Sequence, residues 1–196
     1  MVMERVDFLS DEESEVITER ILCMEEHVKS MGSDKYPLTG EDSLTGRYYC
    51  FNFLSDETIY SILKDKLMNL FGVCIIQCWA NIFRKGEGIR EHQHTGCMYD
   101  PPGFMTSVNI FLSGDPSIGT CYEGVKYENK VGELTMFPPI MKHSVPNNPT
   151  DRIRISLAMD VYAINTKTSN MLTNEPKRYV LLDPAFMSEK AAKKPK

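Results

Sequence analysis

His92-Gln93-His94 and His143 are the informative members of a set of four histidines. Residues two apart in a strand point to the same face, so His92 and His94 can aim two imidazoles at one point. A third nitrogen, from His143 on a neighbouring strand, would complete a face of three ligands. Such a face leaves positions open for small molecules, as a catalytic metal requires. An HxH pair alone favours the plainer reading of two surface histidines beside a buried, hydrogen-bonded one. The segment after His143 changes the weighing: ten residues, Ser144 to Ile153, lead to Arg154-Ile155-Ser156. Arg154 and Ser156 share a strand face, and a planar guanidinium beside a hydroxyl is a carboxylate receptor. At an effective dielectric near 20, an arginine–carboxylate contact at about 4 Å is worth on the order of 4 kcal/mol before desolvation. The pair could orient a dicarboxylate whose other end reaches the metal. Arg84, Lys85 and Arg90 beside the first motif could attract an acidic substrate group, or form a solvated basic turn. Tyr99 falls in Gly96 to Gly103, a loop expected over the site mouth, as a substrate contact or a packing residue. Cys97, three residues after His94, keeps a zinc site open.

These side chains need elements to hold them. Ser10 and Glu13 form a capping-box signature, and Ile17, Ile21, Met24 and Val28 follow at helical spacing, predicting a helix over Ser10 to Met31. His27 lies in it as a surface or core residue. Gly32 to Gly46 has loop chemistry, and aromatic Tyr48 to Phe53 reads as a short strand. Ser55-Asp56-Glu57 opens a second helix that Gly72 ends. From Val73 the pattern turns to strands: Val73 to Arg84, Phe104 to Leu112, Thr120 to Tyr127, Glu133 to Phe137 and Ile153 to Tyr162. Short strands at this spacing predict a sandwich, barrel or jelly roll, not a parallel sheet.

The 196 residues, 42% hydrophobic and 25% charged, are globular usage sufficient for one domain with a sizeable core. A net charge of −5 argues against nucleic acid as the main partner. No stretch approaches the roughly 20 apolar residues of a membrane span, and the acidic N-terminus carries no apolar secretory core. A cytoplasmic location is therefore expected, with the six cysteines reduced and mostly in the core.

His143, ten residues and then Arg154-Ile155-Ser156 resemble the H-x10-R-x-S element of the 2-oxoglutarate- and Fe(II)-dependent oxygenases. Phe83-Arg84-Lys85-Gly86 followed by His92-Gln93-His94 is similar to the Y-x-x-G…H-x-D element of prolyl 4-hydroxylase-like members. Gly132 to Pro138, leading to His143-Ser144-Val145-Pro146-Asn147, is similar to the lead-in of small bacterial and phage members. The resemblance covers Ile75 to Tyr162. It implies a mainly β fold with N-terminal helices, a cupin-like jelly roll or double-stranded β-helix. Residues 1–72 would be a helical support, 73–165 the catalytic core, 166–187 an extension and 188–196 a basic disordered tail. It implies Fe(II) held by His92, His94 and His143, with 2-oxoglutarate bound by Arg154 and Ser156. The activity implied is a dioxygenase that couples decarboxylation of 2-oxoglutarate to hydroxylation of a peptide or small-molecule substrate. Two positions depart from the pattern. His94 stands where Asp or Glu is usual, so the protein supplies no negative charge to the metal; Glu91 and Asp100 are the nearby carboxylates. A shifted register, His94-Thr95-Gly96, would match iron halogenases. Phe83 replaces a tyrosine, and Asn81, on the same face, is the candidate for the lost polar contact. The competing readings are a three-histidine cupin dioxygenase independent of 2-oxoglutarate and a non-enzymatic metal-binding jelly roll. The oligomeric state is open, a dimer included.

Overall fold

A computed structural model describes residues 3–32, 44–94 and 104–183. Two antiparallel sheets face each other, with helices on one outer side. β1 (Glu4–Asp7) precedes α1 (Asp11–Lys29) and α2 (Glu57–Phe71). The strands then run β2 (Cys74–Phe83), β3 (Ile89–His92), β4 (Phe104–Ser113), β5 (Thr120–Tyr122), β6 (Val125–Tyr127), β7 (Glu133–Phe137), β8 (His143–Val145) and β9 (Arg154–Ala163). α3 (Thr166–Asn174) and β10 (Val180–Leu182) follow. The larger sheet has the order β1-β7-β4-β9-β2-β10, and the smaller β3-β8-β5-β6. The second is the pleated partner that closes a jelly roll over the first, so the mainly β expectation holds.

α1 forms where expected. Ser10 accepts from the Glu13 amide, and the Glu13 carboxylate returns to the Ser10 amide. Ile17, Ile21 and Val28 then bury completely on one stripe, each contributing about 1.5–3 kcal/mol of hydrophobic stabilisation. Asp56 caps α2 by accepting from the Thr58 and Ile59 amides, and Gly72 closes it at φ +66°. Ile59, Leu63 and Leu67 are its buried face.

Both helices pack on the outer face of the larger sheet. Ile76, Cys78, Ala80 and Ile82 of β2 join Ile155, Leu157, Met159 and Val161 of β9 in that core. Strand periodicity sends the alternate residues inward. β2 presents Gln77, Trp79, Asn81 and Phe83 to the space between the sheets, and β9 presents Ser156, Ala158, Asp160 and Tyr162. The register pairs Asn81 with Ser156, Gln77 with Asp160 and Phe83 with Arg154.

Tyr48 to Phe53 is not a strand. The stretch is bracketed by short 3-10 turns at Leu44–Arg47 and Phe53–Ser55. The backbone cannot run on as a strand because Asn52 pins it, donating to the Ile76 and Arg178 carbonyls while accepting from the Leu54 amide. Thr120 to Tyr127 is two strands, not one, turned at Glu123 and Gly124 with φ of +49° and +77°. The segment containing Cys97, Tyr99 and Asp100, and the basic tail, lie outside the described residues.

Candidate metal centre

His92 ends β3 and His143 begins β8, and the two face each other as a cross-strand pair. Tyr122 of β5 pairs with the other side of His143, so Tyr122, His143 and His92 form a row across the smaller sheet. His94 lies just past β3, where its amide donates to the Pro139 carbonyl at 2.9 Å. Ring centroids are separated by 4.1 Å for His92–His143, 4.9 Å for His94–His143 and 5.5 Å for His92–His94. One nitrogen from each ring lies within 4.8 Å of the other two, a spacing that one ion bridges. The three sequence-predicted ligands therefore converge.

Their tautomers follow from their partners. His92 Nδ1 sits 2.8 Å from the Arg90 carbonyl and His143 Nδ1 3.0 Å from the Met141 carbonyl. A carbonyl oxygen only accepts, so both Nδ1 atoms carry the proton and both Nε2 atoms keep a lone pair. His94 Nδ1 lies 2.7 Å from Asp160 Oδ1 and 2.9 Å from Ser107 Oγ, which likewise leaves Nε2 for an ion. Burial, and then the neighbouring imidazoles, hold His143 down to about 2 and depress His92. Both rings are therefore neutral at physiological pH, the form that ligates a metal. Glu91 is turned outward and lies 3.8 Å from Lys142; among the described residues no carboxylate joins the three nitrogens.

Arg154 begins β9 fully buried. Its guanidinium is stacked between Phe83 and Phe111, 5.7 and 5.4 Å from the ring centres. Nη2 donates to Thr120 Oγ1 at 3.0 Å, while Nε and Nη1 are buried with no hydrogen-bond partner. Burial brings its pKa down to about 10, so the cation persists at neutral pH. A buried cation with two idle donors is a receptor for an anion. The residues grouped around it are Thr120, Phe83 and Ser156, and they line one end of a cavity of about 650 Å³ that also contains all three histidines. Tyr122 lines the same cavity, and burial raises its hydroxyl to about 12. The donor set thus fits a divalent metal at the imidazoles and a ligand carboxylate at Arg154.

Asn81 lines that end of the cavity, accepting from Thr45 at 2.6 Å and lying 3.4 Å from Ser156 Oγ. Arg84 points elsewhere: its two terminal nitrogens clasp Glu25 of α1 at 2.9 and 2.8 Å. Arg90 is exposed and outside the cavity wall. Sequence reasoning did not single out Thr120, Tyr122, Ser107 or Asp160. The first two sit on a strand of three residues, too short to display a period. Asp160 shares the strand face of Arg154 and Ser156, which was the available signal.

The sequence matches no protein-family model, and no curated protein matches it. Solved structures do share the fold. A prolyl-4-hydroxylase from Pseudomonas putida superposes with a TM-score of 0.54 at 15% identity, covering 83% of this chain and 93% of that one. The nickel complex of the non-heme monooxygenase ThoJ gives 0.58 at 18% identity, with 82% and 72% covered. A prolyl hydroxylase from Trichoplax adhaerens, bound to a peptide of hypoxia inducible factor, gives 0.55 at 13% identity, with 82% and 83% covered. The chain has the double-stranded β-helix fold of these proteins.

Proposed function

We propose that this protein is an Fe(II)- and 2-oxoglutarate-dependent oxygenase. The observation that carries the reading is Arg154: a buried, charged guanidinium with two unpartnered nitrogens, held by Thr120, which lines the same cavity as the three imidazoles. His92, His94 and His143 would hold the iron. Arg154 would take the far carboxylate of 2-oxoglutarate through Nε and Nη1, with Ser156 and Asn81 beside it. Tyr122, whose hydroxyl keeps its proton, lines the same cavity. Iron with 2-oxoglutarate supplies oxidative decarboxylation of the keto acid coupled to oxidation of a substrate C–H bond. The chain's own work is placement. Phe83, Phe111 and Phe137 exclude water from the charged groups and so strengthen their interactions. The Nδ1 hydrogen bonds fix the imidazole planes before metal arrives.

The larger remainder of the cavity, walled by Trp79, Tyr48 and Tyr162, is the place for the substrate. The peptide bound by the Trichoplax prolyl hydroxylase makes a peptide segment the first class to try. The all-imidazole donor set favours one other reading, a three-histidine dioxygenase in which Arg154 grips the carboxylate of the substrate itself.

Anaerobic calorimetry with Fe(II) and 2-oxoglutarate, followed by succinate detection by NMR after oxygen is admitted, tests the proposal. Binding of 2-oxoglutarate in the metal-loaded protein and formation of succinate are expected. Metal binding without either would transfer the case to the second reading, and tight zinc in place of iron to a structural role.

A further inference from the structure

Asp160 is inward-facing on β9 and only 8% exposed. Among the described residues no lysine or arginine pairs with it. Its Oδ1 accepts from His94 Nδ1 at 2.7 Å and from Ser107 Oγ at 2.9 Å. The register sets these contacts, because Ser107 is opposite Asp160 on β4 and Gln77 opposite it on β2. A buried carboxylate without a cation is costly unless something compensates its charge. The one ionisable ring it touches is one of the three that converge on a single point.

We infer that Asp160 supplies, through the His94 imidazole, the negative charge that the three-histidine face lacks, making it the positioning residue that sets the affinity and potential of the metal. The inference rests on the metal reading above. Its logic is charge balance. A divalent ion, a doubly charged keto diacid, the Arg154 cation and one carboxylate sum to neutrality. Without Asp160 the buried assembly keeps an uncompensated positive charge. The hydrogen bond carries the effect: an Nδ1–H held by a carboxylate polarises the ring, so Nε2 becomes a stronger donor, and the ring plane is fixed toward the ion. Ser107 holds Oδ1 in place from the other side. An aspartate placed directly at position 94 would give its charge to the metal; here the charge stands one imidazole further back.

Cobalt(II) titrated anaerobically into the metal-free full chain, with a competing chelator, reads affinity and visible ligand-field spectrum together. Wild type is expected to bind one ion. Asp160→Asn is expected to bind about 10–100-fold more weakly with shifted cobalt bands, and its iron form to show a more positive Fe(III)/Fe(II) midpoint potential. Ser107→Ala, which keeps the carboxylate, is expected to move the potential little. Metal-free melting curves check that each variant folds. Should Asp160→Asn be unstable, Asp160→Ala read with and without added formate tests the same point, with formate expected to restore affinity. Unchanged affinity and potential in a folded Asp160→Asn, or no recovery with formate, overturns the inference while leaving the metal reading intact. Wild type that binds no cobalt overturns both.

Discussion

Arg154 is an expensive residue to keep in a folded chain. Two of its nitrogens are orphaned in an apolar sleeve of Phe83 and Phe111, and an unsatisfied buried donor costs about 1–3 kcal/mol, more when charged. Selection for stability alone would replace it. Arg154→Met, close in volume, is therefore expected to leave the ligand-free protein as stable or more so, since apolar replacement of buried charges is often neutral or stabilising by about 1–4 kcal/mol. The same change should weaken 2-oxoglutarate binding by roughly 100- to 1,000-fold, the loss of about 3–4 kcal/mol of charge-assisted contact, while cobalt still binds. Melting curves and calorimetry on one preparation check both halves. A variant that loses stability and keeps affinity would mark Arg154 as a structural pillar. The H-x10-R-x-S spacing made this residue legible in the sequence. Its idle nitrogens and its Thr120 partner were not, because they depend on which strand lies across the barrel.

Positioning of the imidazoles belongs to the β3–β8 pair. Gly88, one residue before β3, has no room for a side chain: a Cβ there would come within 2.6 Å of the Val145 carbonyl and 3.0 Å of the Asn147 amide nitrogen. Both are backbone, so Gly88→Ala must separate β3 from β8 and draw His92 away from His143. Metal sites tolerate displacements of only about 0.5 Å. A folded Gly88→Ala with at least roughly tenfold weaker cobalt binding is expected, and unchanged binding would show that the pair has slack. These two strands, of four and three residues, carry too few positions for an alternating pattern to be seen in the sequence. The long strands β2, β4 and β9 were legible from their apolar runs. The turn at Arg84 was misleading in the opposite way. Arg84 read as a substrate contact or part of a solvated turn because a sequence does not reveal that the buried carboxylate of Glu25 lies behind it. Arg84→Ala should accordingly lower stability by about 1–2 kcal/mol, through the lost tie between α1 and β2, and leave 2-oxoglutarate affinity unchanged.

The whole molecule couples its site to its stability through protons. His143 titrates near 2 in the fold against an ordinary value of 6.5, with burial the main cause, and His92 is depressed as well. A lowered histidine pKa means that the unfolded chain binds the proton first, so stability from these rings is complete above pH 6.5 and is lost as the pH falls. For His143 the slope approaches 1.4 kcal/mol per pH unit, about one proton's worth, from below 6.5 down toward its folded value. His92 adds in the same direction. The metal-free protein should therefore melt at progressively lower temperature as the pH falls from 7 to 5, by more than its carboxylates alone would cause. A His143→Asn variant should flatten that dependence. On the proposed reading metal and 2-oxoglutarate would act against the loss, since a ligand present at 100 times its Kd adds about 2.7 kcal/mol. On that reading the metal would satisfy the lone pairs of the imidazole face, and 2-oxoglutarate the two idle donors of Arg154. Stabilisation by the two together should exceed the sum of each alone if, as proposed, one keto diacid reaches from Arg154 to the metal held by the three histidines. Thermal melts with metal, with 2-oxoglutarate and with both, at pH 7, measure that excess; simple additivity would mean that the two ligands do not share one cavity.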